Sequence, residues 1–383
     1  MTNLIREVLR MSKRNSGLAA LSLLLAIAVA CSGGSSNSGG NNPPGTAYVS
    51  LPSSDRVAVY RVDSANHFTS VVGSPFTAGS APTSVLVHPS NKFIYVLNQG
   101  SSNISLFTAD SRTGELTEVL PRTPTDVGPV SMIMNKAGSL IFALNQATHD
   151  ISVYSVNSSN GALTEISGSP FPAVIHPAAF SLSNAETLLF VANVNLNSVS
   201  AYSVASGGTL QPVPGSPFPI AGNGPSALAA GASDHYLYIA NQLSSNLSIM
   251  TINSATGALS EIVGSPFAIL GAGSSTTTAT GPNSVVLNST GSFLYETNGG
   301  SNNLFAFSVD GNTGKLTPLA NSPYTTGTGP AFSVINNSGA TLFVGNPGSK
   351  NISHFTINSD GTLASVSDTL PTSSEASSLA FTH

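Results

Sequence analysis

Three observations predict an all-β chain folded as a seven-bladed β-propeller of four-stranded antiparallel blades. The asparagine ending Ile94-Tyr-Val-Leu-Asn98 returns as Asn145, Asn193, Asn241, Asn298 and Asn346, at intervals of 47, 48, 48, 57 and 48 residues. A period this regular marks a repeat architecture, in which one unit buries its apolar face only against its neighbours. Within each period four short β-type runs follow one another, and an incomplete unit at the start of the repeats is matched by one spare run at the end.

The unit is clearest from Pro82 onward. Ser84–His88 forms a first strand, Pro89-Ser-Asn-Lys92 a turn and Phe93–Asn98 a second strand. A polar turn leads to the third strand, Ile104–Thr108, and Asp110–Gly114 to the fourth, Leu116–Leu120. Such runs bounded by Asn, Gly, Ser and Pro are hairpin signatures. The fourth strand is expected to end in Gly-Ser-Pro-Phe at Gly73–Phe76, Gly168–Phe171, Gly215–Phe218 and Gly264–Phe267, with Asn321-Ser-Pro-Tyr324 as a variant. Proline cannot donate to a ladder and suits the end of an edge strand, while the aromatic ring packs between blades.

Complete units run over about 83–120, 130–167, 177–213, 226–263, 283–319 and 330–366. The remainder, Ala47–Ser50, Val57–Val62 and Phe68–Val71, supplies three strands, and the tail from Ser377 to His383 supplies one. Their pairing closes the ring and leaves no inner edge. The insertion Ala268–Gly281 accounts for the 57-residue interval and reads as a lid over a ligand or as surface slack.

Only 8% of the 383 residues are charged, against about a quarter in an ordinary soluble domain, a profile of an exported β-protein. Arg6, Arg10, Lys13 and Arg14, the apolar run Leu18–Ala30 and then Cys31 have the order of an export signal, with translation starting at Met1 or Met11. Ala-Val-Ala-Cys31 is similar to the lipobox of bacterial lipoproteins, which predicts lipidation of Cys31; the alternative is an ordinary signal with a chance cysteine. The domain plan is a signal over 1–30, a lipidated cysteine and Ser/Gly/Asn-rich tether over 31–45, and the propeller over 46–383. The expected location is the cell envelope, periplasmic or surface-facing, with Ser32 pointing to the outer membrane.

One cysteine excludes disulfides and cysteine metal sites. There is no His-Glu-x-x-His and no Gly-x-Ser-x-Gly, so neither a metal nor a cofactor is expected. Removing the signal takes four of the 12 Lys and Arg and Glu7 of the 17 Asp and Glu, leaving eight against sixteen, a net charge near −8 that disfavours nucleic acid. A monomer is expected.

With Tyr-Val-Leu-Asn98, Phe-Val-Ala-Asn193 and Tyr-Ile-Ala-Asn241, nearly the whole mature chain resembles the bacterial YVTN-repeat propellers and the seven-bladed lactonase family, relatives of 6-phosphogluconolactonase and the fungal muconate-lactonizing enzyme. The resemblance implies lactone hydrolysis in the central funnel, with histidine, arginine and acidic groups near it. Where that family carries an acidic turn, the corresponding turns here begin with asparagine, as in Asn145-Gln-Ala-Thr-His-Asp150.

Propeller topology puts the second-to-third and fourth-to-first connections on one rim, around the funnel. Amides and hydroxyls dominate there, which suits a neutral glycan, a peptide backbone or a protein partner in a binding or scaffolding role; the same residues also cap turns. Among titratable groups, Arg122, Asp126, His149, Asp150 and His176 fall on this rim near the third and fourth blades, and Glu296, Lys350 and Glu375 elsewhere on it. A lactonase needs a group to activate water and a donor for the oxyanion, roles open to His149 or His176 with Arg122, while the carboxylates and Lys350 would contact ligand.

Overall fold

Runs of five to seven alternating residues cannot hold themselves together, and here they assemble into seven antiparallel sheets arranged as blades. The computed structural model describes residues 45–269, 280–366 and 369–383. The expected signal, Cys31 and all but the last residue of the tether lie outside these residues, as does most of the Ala268–Gly281 insertion. No helix among the described residues is long and apolar enough to cross a membrane.

Blade one is composite: Gly45–Leu51 pairs with Arg56–Val62 on one side and with the last strand, Ser378–Phe381, on the other. Blades two to seven begin with Pro82–Val87, Pro129–Met134, Pro177–Leu182, Pro225–Ala230, Pro282–Leu287 and Phe332–Ile335, and these first strands touch one another around the centre. The second strands are the best buried; Phe93–Asn98 and Leu140–Asn145 are buried at every residue. A strand covered on both faces reads as continuously apolar, as Phe-Ile-Tyr-Val-Leu does.

In blades two to seven the second strand ends in the repeated asparagine, wholly buried in all six cases. In five of them Nδ2 donates across the following turn to the residues five and seven positions on: Asn241, for example, donates to Asn246 Oδ1 at 2.8 Å and to Ser248 Oγ at 3.0 Å. The amide thus clamps a hairpin that backbone bonds alone leave open at its tip. This is the physical content of the repeat's most regular letter.

The Gly-Ser-Pro-Phe motif departs from expectation. It does not end the fourth strand but divides it: Leu163–Glu165 and Phe171–Pro172 both pair with the third strand, with Gly-Ser-Pro bulged out between them. The serine hydroxyl fills the gap in the ladder. Ser74, Ser169, Ser216, Ser265 and Ser322 accept the third-strand N–H of Val59, Val153, Ala201, Ile249 and Ala306 at 2.8–3.0 Å. The Ser-Pro bonds at these sites are cis. The aromatic residues do pack between blades as expected, Phe171 against blade four and Phe267 against blade six.

Seven apolar clusters fill the seven seams, one between each pair of neighbouring blades. The seam between blades seven and one is closed by the C-terminal strand, whose Leu379 and Phe381 join Val49 and Phe343. Beyond the four ladder pairs, Thr46 N donates to Thr382 Oγ1 at 2.9 Å and His383 N donates to Asn91 Oδ1 at 2.8 Å, so the terminus bridges into blade two. Deleting residues 376–383 is expected to lower the melting temperature by more than about 10 °C or to send the chain into aggregates, read by calorimetry and light scattering. Unchanged melting would refute closure as a source of stability.

Candidate functional site

The rim turns are built on backbone that few side chains tolerate. Each second-to-third turn ends in a residue with positive φ, namely Ser102, His149, Asn197, Ser245, Asn302 or Lys350. A left-handed residue also stands at or shortly before the first strand of blades two to seven, and at four seams it is glycine: Gly128, Gly224, Gly281 and Gly329. A side chain at the first position accepts the N–H of the second. Ser102 Oγ takes it from Gly128 at 3.4 Å, Asn197 Oδ1 from Gly224 at 2.8 Å and Asn302 Oδ1 from Gly329 at 2.6 Å. In blade one Asp55 Oδ1 takes it from Ala81 at 2.7 Å. These four bonds latch one blade to the next, and they consume much of the rim's hydrogen-bonding capacity at those seams.

At the seam of blades three and four both latch positions are histidine. His149 Nδ1 accepts the His176 N–H at 3.3 Å, and the two imidazole centroids lie 5.4 Å apart. Loops 27 residues apart in sequence are therefore brought together. His176 stands at φ 55°, where glycine serves four other seams, a conformation that costs a non-glycine residue on the order of 1 kcal/mol. Its ring makes no hydrogen bond among the described residues.

On the other side of the same turn, Asp126 meets Asp150. Burial, the adjacent Asp150 carboxylate and the hydrogen bond between them, then Glu165, raise Asp126 above the ordinary aspartate range. Neighbouring carboxylates repel, so Asp126 keeps its proton to a higher pH than an isolated aspartate does. Asp150 Oδ1 is also held by Asn145 Nδ2 at 2.7 Å. The result is a row of four groups, Asp126, Asp150, His149 and His176, flanked by the exposed apolar side chains of Val127 and Ile175.

Arg122 does not join this row. It lies on the fourth strand of blade two, where Nε and Nη2 pair with Glu118 at 2.7 and 3.2 Å and Nη2 also donates to the Ala78 carbonyl at 3.1 Å. The guanidinium is occupied by its own strand and the preceding connection, so the expected pairing with a histidine is replaced by an ion pair. Lys350 and Glu375 are on the rim and meet each other at 3.4 Å. The Ser53 hydroxyl first, and Lys350 with it, hold the Glu375 carboxyl well below the usual range. Between blades seven and one the latch is thus an exposed ion pair.

Glu296 corrects the sequence reading most sharply: it is not on the rim but wholly buried in the seam of blades five and six. It points the same way as Asn298, two residues on, and that face packs on the neighbouring blade. Other blades place Val96, Ala143, Val191, Ile239 or Val344 there. Blade six also replaces the serine seven residues after the asparagine with Phe305, and Asn298 Nδ2 donates instead to Glu296 Oε2 at 2.8 Å. Burial pushes the Glu296 carboxyl up to about 8, against the lowering by Asn298. Among the described residues no cluster of three or more His, Cys, Asp or Glu could hold a metal.

A family profile described as lactonase, 7-bladed β-propeller matches residues 44–126, 165–270 and 265–379. The stretch 127–164, with His149 and Asp150, falls between the matched segments. A 6-phosphogluconolactonase of Formosa agariphila is 31% identical over 68 residues, 18% of this chain, which thus spans only 19% of that relative's length. Among solved structures, a Pseudomonas aeruginosa periplasmic gluconolactonase superposes with a TM-score of 0.73 at 20% identity, covering 89% of this chain and 99% of that one. A Lactobacillus plantarum protein gives 0.72 at 20% identity with the same coverage. At these identities the likeness is one of fold.

The buried carboxyl makes stability depend on pH in a defined direction. An acid whose folded value exceeds its unfolded value stabilises fully below the unfolded value, near 4.5, and that stability is lost as pH rises toward about 8. Relative to Glu296→Gln, the parent should lose stability between those limits, on the order of several kcal/mol, and then level off. Denaturant melts of both proteins across this range check it; parallel curves would place the carboxyl in contact with water.

Proposed function

The chain belongs to the seven-bladed β-propeller lactonase family, and from the rim geometry we propose that it hydrolyses a sugar lactone at the seam of blades three and four. The observation that carries this is the contact of His149 with His176 beside the Asp126–Asp150 pair. The latch decides the roles. Because His149 accepts at Nδ1, its neutral ring carries the proton at Nε2, ready to donate to a carbonyl oxygen as it becomes an oxyanion. His176 is left as the base: it takes a proton from the water that attacks the lactone carbonyl. The ring C–O bond then breaks, the leaving oxygen takes the proton back from the His176 imidazolium, and the product is the open-chain hydroxy acid.

Charge narrows the substrate. Arg122 and Lys350, the two cations expected on this rim, are both paired, so among the described residues neither is left to hold a phosphate at these histidines, and a neutral lactone fits better than a phosphorylated one. The acidic pair repels the carboxylate product and favours its release. Val127 and Ile175 offer apolar contact to the C–H face of a sugar ring.

A second reading, a binding or scaffolding module for a neutral glycan, peptide or protein, rests on the amide-rich rim; it is weakened by how many of those groups the latches use. The test uses residues other seams already tolerate. His176→Gly and His149→Asn should keep the fold, and His176→Gly should lower kcat on an unphosphorylated aldonolactone by about 10²–10⁴-fold. Loss of a donor in His149→Asn should cost about 10²–10³-fold. Full activity in both variants would refute the site, and absence of hydrolysis with saturable glycan binding would favour the second reading.

We also propose that the chain is exported and anchored to the envelope by lipid on Cys31, in the outer membrane as Ser32 suggests, since the basic, apolar and small-residue segments lie in the order this processing needs. Mass spectrometry of the mature N-terminus should show acylated Cys31; an unmodified cysteine or cleavage elsewhere overturns it.

A further inference from the structure

A cavity of about 520 Å³ opens on the opposite rim, between blades five and six. One of its lining residues marks a departure from the repeat. Where the other blades carry His88, Asn135, Ser183, Asn288 and Asn336 at the end of the first strand, blade five has Gly231. Those asparagines and Ser183 accept the N–H that opens the second strand, at 2.9–3.1 Å. Without such a side chain the turn above Tyr236 stands open.

The walls are neutral. Tyr236, Tyr238, His235, Thr290, Ser292 and Asn312 line it together with turn backbone, and no Lys, Arg, Asp or Glu does. Nearby Asp234 is occupied by the backbone of Asn184 and Ala185, and Asp310, between the lining residues Val309 and Gly311, by the N–H groups of Asn312 and Thr313. Tyr238 supplies an independent observation. At its position in blades two and six, Tyr95 and Tyr295 donate their hydroxyls to Gly161 O and Gly361 O at 2.8 and 3.0 Å. Tyr238 is 1% exposed, yet its hydroxyl makes no hydrogen bond among the described residues, and the residue lines the cavity. The neighbouring Tyr236 hydroxyl has taken the turn, donating to Asn312 O at 2.5 Å.

We propose that this cavity is a second ligand site, distinct from the histidine seam, that binds a neutral saccharide. Aromatic faces, hydroxyls, an amide and an imidazole match the alternating C–H and O–H surface of a sugar, and the volume falls within the roughly 300–1,000 Å³ of small-molecule sites. The histidine seam processes its substrate on the other rim, so this site is independent of it.

The chain has no tryptophan, so the emission of its nine tyrosines is not masked, and the part that responds to a ligand in this cavity is the part lost on substituting Tyr238. Titrating the full propeller with neutral disaccharides (maltose, cellobiose and chitobiose) and with gluconate should give saturable binding of a neutral sugar and none of gluconate. Tyr238→Phe removes only the hydroxyl, and blades three, four and seven already fold with Phe142, Phe190 and Phe343 there. It should weaken binding about tenfold, one hydrogen bond's worth. Gly231→Asn, which installs the residue of three other blades, should also weaken it, while His176→Gly should not. No saturable binding of any neutral sugar, binding of gluconate alone, or binding indifferent to both Tyr238→Phe and Gly231→Asn would overturn the proposal.

Discussion

No blade of this ring has a core of its own. The apolar side chains of each sheet are dry only because the next sheet lies against them, and the last seam depends on a strand contributed from the far end of the chain. Stability is therefore a property of seams, and the polar chemistry of the rim follows from the same constraint. The left-handed pairs that tie one blade to the next hold apolar faces together where the strands end and backbone pairing stops. Serine, asparagine, aspartate, a lysine–glutamate pair and a histidine pair are different solutions to that one problem.

Much of this was legible in the sequence. A period carried by asparagine, with four β-type runs between recurrences, leaves few architectures, and the three-plus-one split of blade one follows from counting runs. The meeting of His149 and His176 was harder to see, because loop spacing does not report which turns latch. A signal existed nonetheless: aligned by repeat register, both stand where other units use Gly, Ser or Asn. Glu296 was misplaced for a different reason. Nearness to the rim along a strand says nothing about which face a side chain takes, and its alternation with Asn298 points it into the seam. Gly-Ser-Pro was misjudged because the missing proline donor was weighed without the serine acceptor beside it.

An internal repeat acts as its own control. Six versions of a position show what the fold asks for, so a unit that differs either compensates or does something else. Glu296 with Phe305 is a compensated exchange, since the asparagine keeps a partner. His149 with His176 keeps the latch but adds two imidazoles beside an acidic pair. Gly231 is the reverse case, a lost side chain that leaves the N–H opening the second strand without its usual side-chain acceptor, beside a tyrosine whose hydroxyl has no partner among the described residues. The first two departures lie toward the funnel rim and the third on the opposite one, so a single ring presents two chemically different faces.

The interrupted fourth strand has a further consequence for how such molecules live side by side. An outermost strand is an open row of donors and acceptors that can recruit a strand from another copy. Here five blades break that row into a three-residue and a two-residue piece around a proline without an N–H, with a serine turned inward to satisfy the strand behind it. No outer edge of those blades is long enough to template a partner. A chain with so few charges cannot rely on mutual repulsion to stay separate, and the broken edges supply that insulation by geometry instead.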